Sequence, residues 1–139
     1  MSLLVDTSFF MAVKHLRDAD HDRATELFRE VFRGEHGVAH TTNVVFLEAV
    51  TVALARTRRH SAAKGVGELV RLRTGERQMF PLQHVSSGQL TMAWEEFLGH
   101  QDKFLSMVDW TSVVVARELE VDAILSFDRG FDGIFPRLS

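Results

Sequence analysis

The sequence predicts an α/β fold in three layers, with a central parallel sheet between two layers of helices. Three observations point to it. Short apolar runs alternate along the chain with longer stretches of helical periodicity. The strand-like runs, "SLLVD" first among them, are unbroken rather than alternating, as in strands buried on both faces. Acidic residues stand at the ends of these runs, where sites collect in parallel sheets. Asp6 closes the first and Asp128 lies just past the last. The 139 residues read as a single domain, 1–139, long enough to bury a substantial core.

The elements follow in order. "SLLVD" is a buried strand, followed by a polar break, "LRDADHD". In "RATELFREVFR", Ala24, Leu27, Phe28, Val31 and Phe32 keep the spacing of an amphipathic helix, which Gly34 and Gly37 end. "GVAHTT" is a second strand, after which Thr42 or Asn43 caps a helix running to about Arg58. "SAAKGVGELVRLRTGE" is a helix closed near Gly75, and "QMFPLQHV" a strand that Pro81 confines to an edge or an end. "SSGQLTMAWEEFLGH" is a helix with Leu90, Ala93, Trp94, Phe97 and Leu98 on one face. "SMVDWTSVVVARELE" is a further helix, "VDAILSF" a strand, and "DRGFDGIFPRLS" a loop and tail.

Composition narrows the chemistry. The chain has no cysteine, which excludes disulfides, thiol catalysis and thiolate metal sites. It carries no apolar run of membrane-spanning length, and its first residues lack the basic region and cleavage site of a secretory leader. A cytoplasmic protein is expected. The net charge of −3 argues mildly against nucleic acid, but two divalent cations held by the acids would turn it to +1. Of the 16 basic residues 13 are arginine, the better match to phosphate.

Four acids stand in apolar company. Glu48 is the only charged residue between 44 and 55, and its helical neighbours Val44, Val45, Thr51 and Val52 offer no cation. A buried carboxylate without a partner costs several kcal/mol or takes up a proton. Its partner therefore comes from elsewhere in the fold, an arginine such as Arg56 or Arg117 in the bland reading. Asp109 also lacks a helical cation, although "SMVD" reads as a capping box with Ser106. Asp6 could cap the segment that follows, and Asp128 could turn with Gly130. The functional reading rests on the four together. Asp132 and Asp102 are weaker candidates.

Converging carboxylates repel one another and need protons or cations. Hard oxygen ligands without cysteine favour Mg²⁺ or Mn²⁺ over zinc. Such ions serve phosphoryl transfer, turning a water into a nucleophile and stabilising the leaving oxygen.

With these residues in view, the chain resembles the PIN-domain ribonucleases, in particular the VapC-type toxins of toxin–antitoxin pairs. The resemblance is carried by "VDTSFF", by the helix bearing Glu48, and by "SMVDWTSVVVARELEVDAILSFDRGF", in that order and spacing. It implies a compact α/β/α fold with an acid cluster at the C-terminal edge of the sheet. It assigns Asp6, Glu48, Asp109 and Asp128 as the catalytic, metal-binding acids and Thr7 and Ser126 as the small hydroxyl positions behind them. It further implies an Mg²⁺- or Mn²⁺-dependent endoribonuclease acting on structured RNA, a homodimer, and an antitoxin partner that blocks the site.

The densest basic region, "RTRRH" with Arg56, Arg58 and Arg59, joined by Arg71, Arg73 and Arg77, is a candidate RNA-tracking surface. The bland alternative is a solvated helix end. The seven histidines form no zinc motif. The Phe-rich segments read mainly as core. A receiver domain would need an adjacent acidic pair and a strand-end lysine, and a haloacid-dehalogenase-type phosphatase a D-x-D-x-T motif; neither is here. A PIN-like module that binds RNA or protein without cutting remains the rival reading.

Overall fold

The computed structural model describes residues 1–139. Strand β1 (Ser2–Val5) leads into helix α1 (Thr7–Lys14) and α2 (His21–Phe32), then β2 (Val38–Thr42), α3 (Asn43–Thr57) and α4 (His60–Val70). A hairpin, β3 (Arg73–Thr74) and β4 (Arg77–Gln78), precedes β5 (Leu82–Gln83), α5 (Ser87–Gly99), α6 (Met107–Leu119), β6 (Ala123–Leu125), a 3₁₀ turn at Arg129–Phe131 and β7 (Arg137–Leu138). The main sheet has the order β5-β2-β1-β6-β7, and every neighbouring pair in it is parallel.

The expected three layers follow from the pleat. Side chains on a strand alternate between faces. In β1, Leu3 and Val5 join one core with α1, α2, α3 and α4, while Leu4 joins a second core with α5 and α6. On β6, Leu125 and Ile124 divide in the same way. Phe9, Phe10 and Phe80 meet edge to face in the first core, and Trp110 is buried in the second. Because β1 is central, Asp6 leaves the sheet at its middle. Its backbone N–H still bonds to Leu125 O at 3.0 Å, extending the ladder to the site.

Most expected elements are present, with differences that have physical reasons. Helix α1 was not legible because "TSFFMAVK" is buried almost all round, leaving no polar stripe to mark its period. Helix α4 ends at Val70 rather than near Gly75, which instead sits at φ +66° between β3 and β4. Pro81 does precede an edge strand, β5, only two residues long. The tail holds a further strand, β7, too short for a sequence signal.

The expected apolar face of α5 is not core. Ala93 alone is buried there, while Leu90, Trp94, Phe97 and Leu98 are exposed and the Trp94 and Phe97 rings stack on each other at 5.7 Å. Phe32 and Phe104 are likewise exposed rather than core. No helix is long and apolar enough to cross a membrane.

Gly34 and Gly37 both adopt positive φ after α2, at +76° and +70°. A Cβ on Gly34 would meet nothing, but one on Gly37 would fall 1.8 Å from Met1 O, against the backbone that starts β1. Urea unfolding should show Gly34→Ala costing about 1–2 kcal/mol, the penalty for left-handed backbone, and Gly37→Ala costing clearly more. Equal losses would contradict this packing.

Candidate active site

The DTS segment follows β1 directly. Asp6 is extended (φ −92°, ψ 161°) and caps α1, its Oδ2 accepting from Ser8 N at 3.4 Å. The same oxygen accepts from Ser126 Oγ at 2.7 Å and Ser8 Oγ at 3.0 Å. These hydroxyls also accept from the loop after β6, Ser126 Oγ from Asp128 N at 3.0 Å and Ser8 Oγ from Phe127 N at 2.9 Å. One carboxylate oxygen thus joins the ends of two adjacent strands and the start of a helix. The other oxygen, Oδ1, is buried with no hydrogen-bond partner, and Asp6 is only 2% exposed. Burial pushes its carboxyl above the usual range, while Ser126 and Ser8 hold it down in part.

Two further acids face this one. Glu48, half-buried on α3, makes no ion pair: Arg117 pairs instead with Glu96 at 2.6 Å. Burial raises its carboxyl; the nearby Thr7 hydroxyl draws it down, the Asp6 charge raises it, and Arg56 lowers it. Thr7 Oγ1 is itself buried and makes no hydrogen bond of ordinary geometry. Asp109 is 7% exposed on the first turn of α6. It forms the expected capping box, Oδ2 accepting from Ser106 N at 2.8 Å while Ser106 Oγ accepts from Asp109 N at 3.1 Å. Burial, then the Asp6 charge, push its carboxyl up to about 7, with a smaller contribution from Glu48.

Asp128 is exposed and turns onto Gly130, its Oδ1 accepting from Gly130 N at 2.8 Å. The capping and turn readings are therefore all true. They coexist with the cluster, because each local bond occupies one oxygen and fixes where the acid stands. Asp6, Thr7, Glu48, Asp109 and Asp128 line one cleft of about 400 Å³. Ser126 lies behind it, fully buried. A depression of about 490 Å³ beside Gly37 is larger but is lined by no carboxylate, so the chemistry belongs to the acid-lined cleft.

Asp132 takes another role. Arg137 binds both its oxygens at 2.9 and 3.2 Å and holds its carboxyl below the usual range. The basic region divides. Arg56 lines the acid cleft, whereas Arg58 caps α3 at φ +56° and Arg59 precedes α4, both exposed and away from that lining. Arg71 lies over the Phe46 ring at 5.9 Å and borders a separate depression with Arg73. Asp18, Asp20, Ser8 and Phe104 also line the cleft and were not singled out in the sequence. Ser8 had a signal, being the second hydroxyl after Asp6. Asp18 and Asp20 had none beyond a polar break.

The donor set is carboxylate oxygen, suited to a hard cation. The partnerless Asp6 Oδ1 and the mutual repulsion of Asp6, Glu48 and Asp109 both fit one. The acids line the cleft without closing on a point: no group of three acids or histidines is placed to hold an ion unaided.

Similarity to known proteins bears on this cleft. Residues 3–134 match the model of the PIN domain. The chain is 33% identical over 129 residues to the 23S rRNA-specific endonuclease VapC20 of Mycobacterium tuberculosis, covering 93% of this chain and 91% of that one. The crystal structure of M. tuberculosis VapC20, described as a Sarcin-Ricin loop cleaving toxin, superposes with a TM-score of 0.80 at 29% identity, covering 96% of this chain and 99% of that chain. FitAcB from Neisseria gonorrhoeae shares the fold at a TM-score of 0.67 and 10% identity, over 99% of this chain and 96% of that one. With its match running from the first strand to the segment after the last acid, the chain belongs to the PIN-domain family.

Proposed function

We propose that this protein is a metal-dependent endoribonuclease, a hydrolase of RNA phosphodiester bonds and the toxin of a toxin–antitoxin pair. The observation that carries the reading is the group of three desolvated acids, Asp6, Glu48 and Asp109, brought from three elements to one cleft without an ion pair among them. Capping explains one oxygen of Asp6 and one of Asp109, but bringing three desolvated carboxylates together costs the fold stability. The VapC20 relative, an rRNA endonuclease by name, supports the choice of substrate. Partners in this reading are RNA, a cognate antitoxin and a second copy of the chain, in the cytoplasm.

Asp6, Glu48, Asp109 and Asp128 would hold Mg²⁺ or Mn²⁺. Such ions activate a water for attack at phosphorus and stabilise the leaving oxygen. Ser126 and Ser8 orient Asp6 by occupying Oδ2, so that Oδ1 is the free donor. Thr7, buried beside Glu48, offsets part of the burial penalty on its carboxyl. Arg56, a cleft cation with no ion pair, receives a phosphate of the RNA; Arg58 and Arg59 lie further along the same helix end and extend that contact. The rival reading, a PIN-like module that binds without cutting, has one observation behind it, the lack of a ready three-acid cage.

Cleavage separates the two readings. Incubated with a structured-RNA pool, the protein should give discrete cuts in Mg²⁺ or Mn²⁺ and none in EDTA, and Asp6→Asn should be folded but inactive. A fully active Asp6→Asn variant would exclude the acid-cluster assignment. Ser126→Ala removes the shortest of the hydrogen bonds on Asp6 Oδ2, leaving those from Ser8, and should lower activity about 10- to 100-fold, as loss of a ligand's supporting hydrogen bond does.

Stability should depend on pH with a definite sign. Burial pushes the Asp109 carboxyl up to about 7 in the folded chain, against its ordinary 3.8 in the unfolded one, so the folded state holds the extra proton between these values. Metal-free stability therefore falls as pH rises from about 4 to about 7. His40, lowered by burial, works in the opposite direction near its ordinary value. The difference between wild type and Asp109→Asn isolates the acid. Melting temperatures across this range should fall in wild type relative to the variant, and parallel curves would show that Asp109 is not desolvated.

A further inference from the structure

Among the large hydrophobic side chains of this chain, Phe104 is the most exposed, at 97%, and it lines the acid cleft. No other ring stacks on it. Phenylalanine is among the residues most often buried, and this one adds nothing to either core.

Its neighbours hold it in place on both sides. Leu105 is 2% exposed and packs on the Asp128 turn, so closely that a Cβ on Gly130 would come within 2.9 Å of Leu105 Cδ2. Lys103 Nζ donates to Asp132 O at 3.3 Å. Ser106 then starts α6 with the capping box that fixes Asp109. The backbone that carries the bare ring is thus tied to the same two turns that carry Asp109 and Asp128.

We propose that Phe104 is a base-stacking platform, which takes the face of an unpaired RNA base beside the phosphate that the acid cleft cuts. This rests on the endoribonuclease reading and names its substrate class more closely: a nucleotide free of its helical stack. The polarity of the surroundings selects the occupant. Asp6, Ser8, Glu48, Ser106, Asp109 and Asp128 line the same cleft, so an apolar helix would bury this ring and desolvate acids around it. A nucleobase brings a π face for the ring and polar edges for the rest, and its phosphate meets Arg56.

Binding of a labelled ten-nucleotide oligoadenylate, and of an abasic ribose-phosphate chain of equal length, tests this in the uncutting Asp6→Asn background. Adding Phe104→Ala should weaken oligoadenylate binding about 5- to 150-fold, the range for losing one base–aromatic stack, and leave the abasic chain unaffected. Phe104→Trp should keep the affinity, and Phe104→Leu, apolar but without a π face, should behave as alanine. Equal losses for both chains, or no loss, would overturn the platform. So would an effect of Phe104→Ala on self-association alone, which would assign the ring to a protein contact. Cleavage of a structured-RNA pool by the otherwise unaltered protein keeps the two readings apart. If it cuts and the stacking result fails, only the platform falls; if it never cuts, the endoribonuclease reading falls as well.

Discussion

The burial of one carboxylate, Asp6, at the end of the central strand is the constraint on which the rest of the site depends. Its Oδ2 receives hydroxyl hydrogen bonds from two chain segments distant in sequence, Ser8 and Ser126. These hydroxyls in turn accept from the backbone of Phe127 and Asp128. The network holds the exits of β1 and β6 together and sets the direction of α1. It leaves Oδ1 without a partner inside the protein. A buried charge-bearing oxygen with nothing to bind is a cost to the fold, and the usual reason for keeping one is a ligand.

Topology then brings the other acids to it. In the order β5-β2-β1-β6-β7, β1 sits between β2 and β6, so the connections leaving all three rise on the same edge. Helix α3 begins directly after β2 and carries Glu48 back toward Asp6. Helix α6, which runs into β6, begins at that edge with Asp109 in its capping box. The result is an electrostatic cluster in which Asp6 raises the carboxyls of both Glu48 and Asp109. Protons or cations can relieve it, and a cation relieves it in a form that also does chemistry.

Much of this was legible in the sequence because the cues were local. Unbroken apolar runs marked β1 and β6, and Thr42 capped α3 through Val45 N as its position suggested. Glu48 stood out because none of its neighbours one turn away could pair with it, and the arginines weighed as partners form no ion pair with it. What was not legible depends on contacts across the fold. Helix α1 is apolar all round, so no period marked it. Asp18 and Asp20 looked like solvated loop until the chain return placed them on the cleft. On α5, Leu90, Trp94, Phe97 and Leu98 have a core-like spacing, but only Ala93 reaches a core. Periodicity reports a face without telling what covers it. Phe104 is the same lesson on a smaller scale.

The central claim is that the cleft's acids are held without a cationic side chain as partner so as to bind a hard cation. Direct titration with Mn²⁺, followed by electron paramagnetic resonance on the metal-free protein, measures this most directly. The account predicts saturable binding of one or two ions at neutral pH, competed by Mg²⁺ and lost in Asp6→Asn. Mn²⁺ binding that is absent, or unchanged by Asp6→Asn, would contradict it.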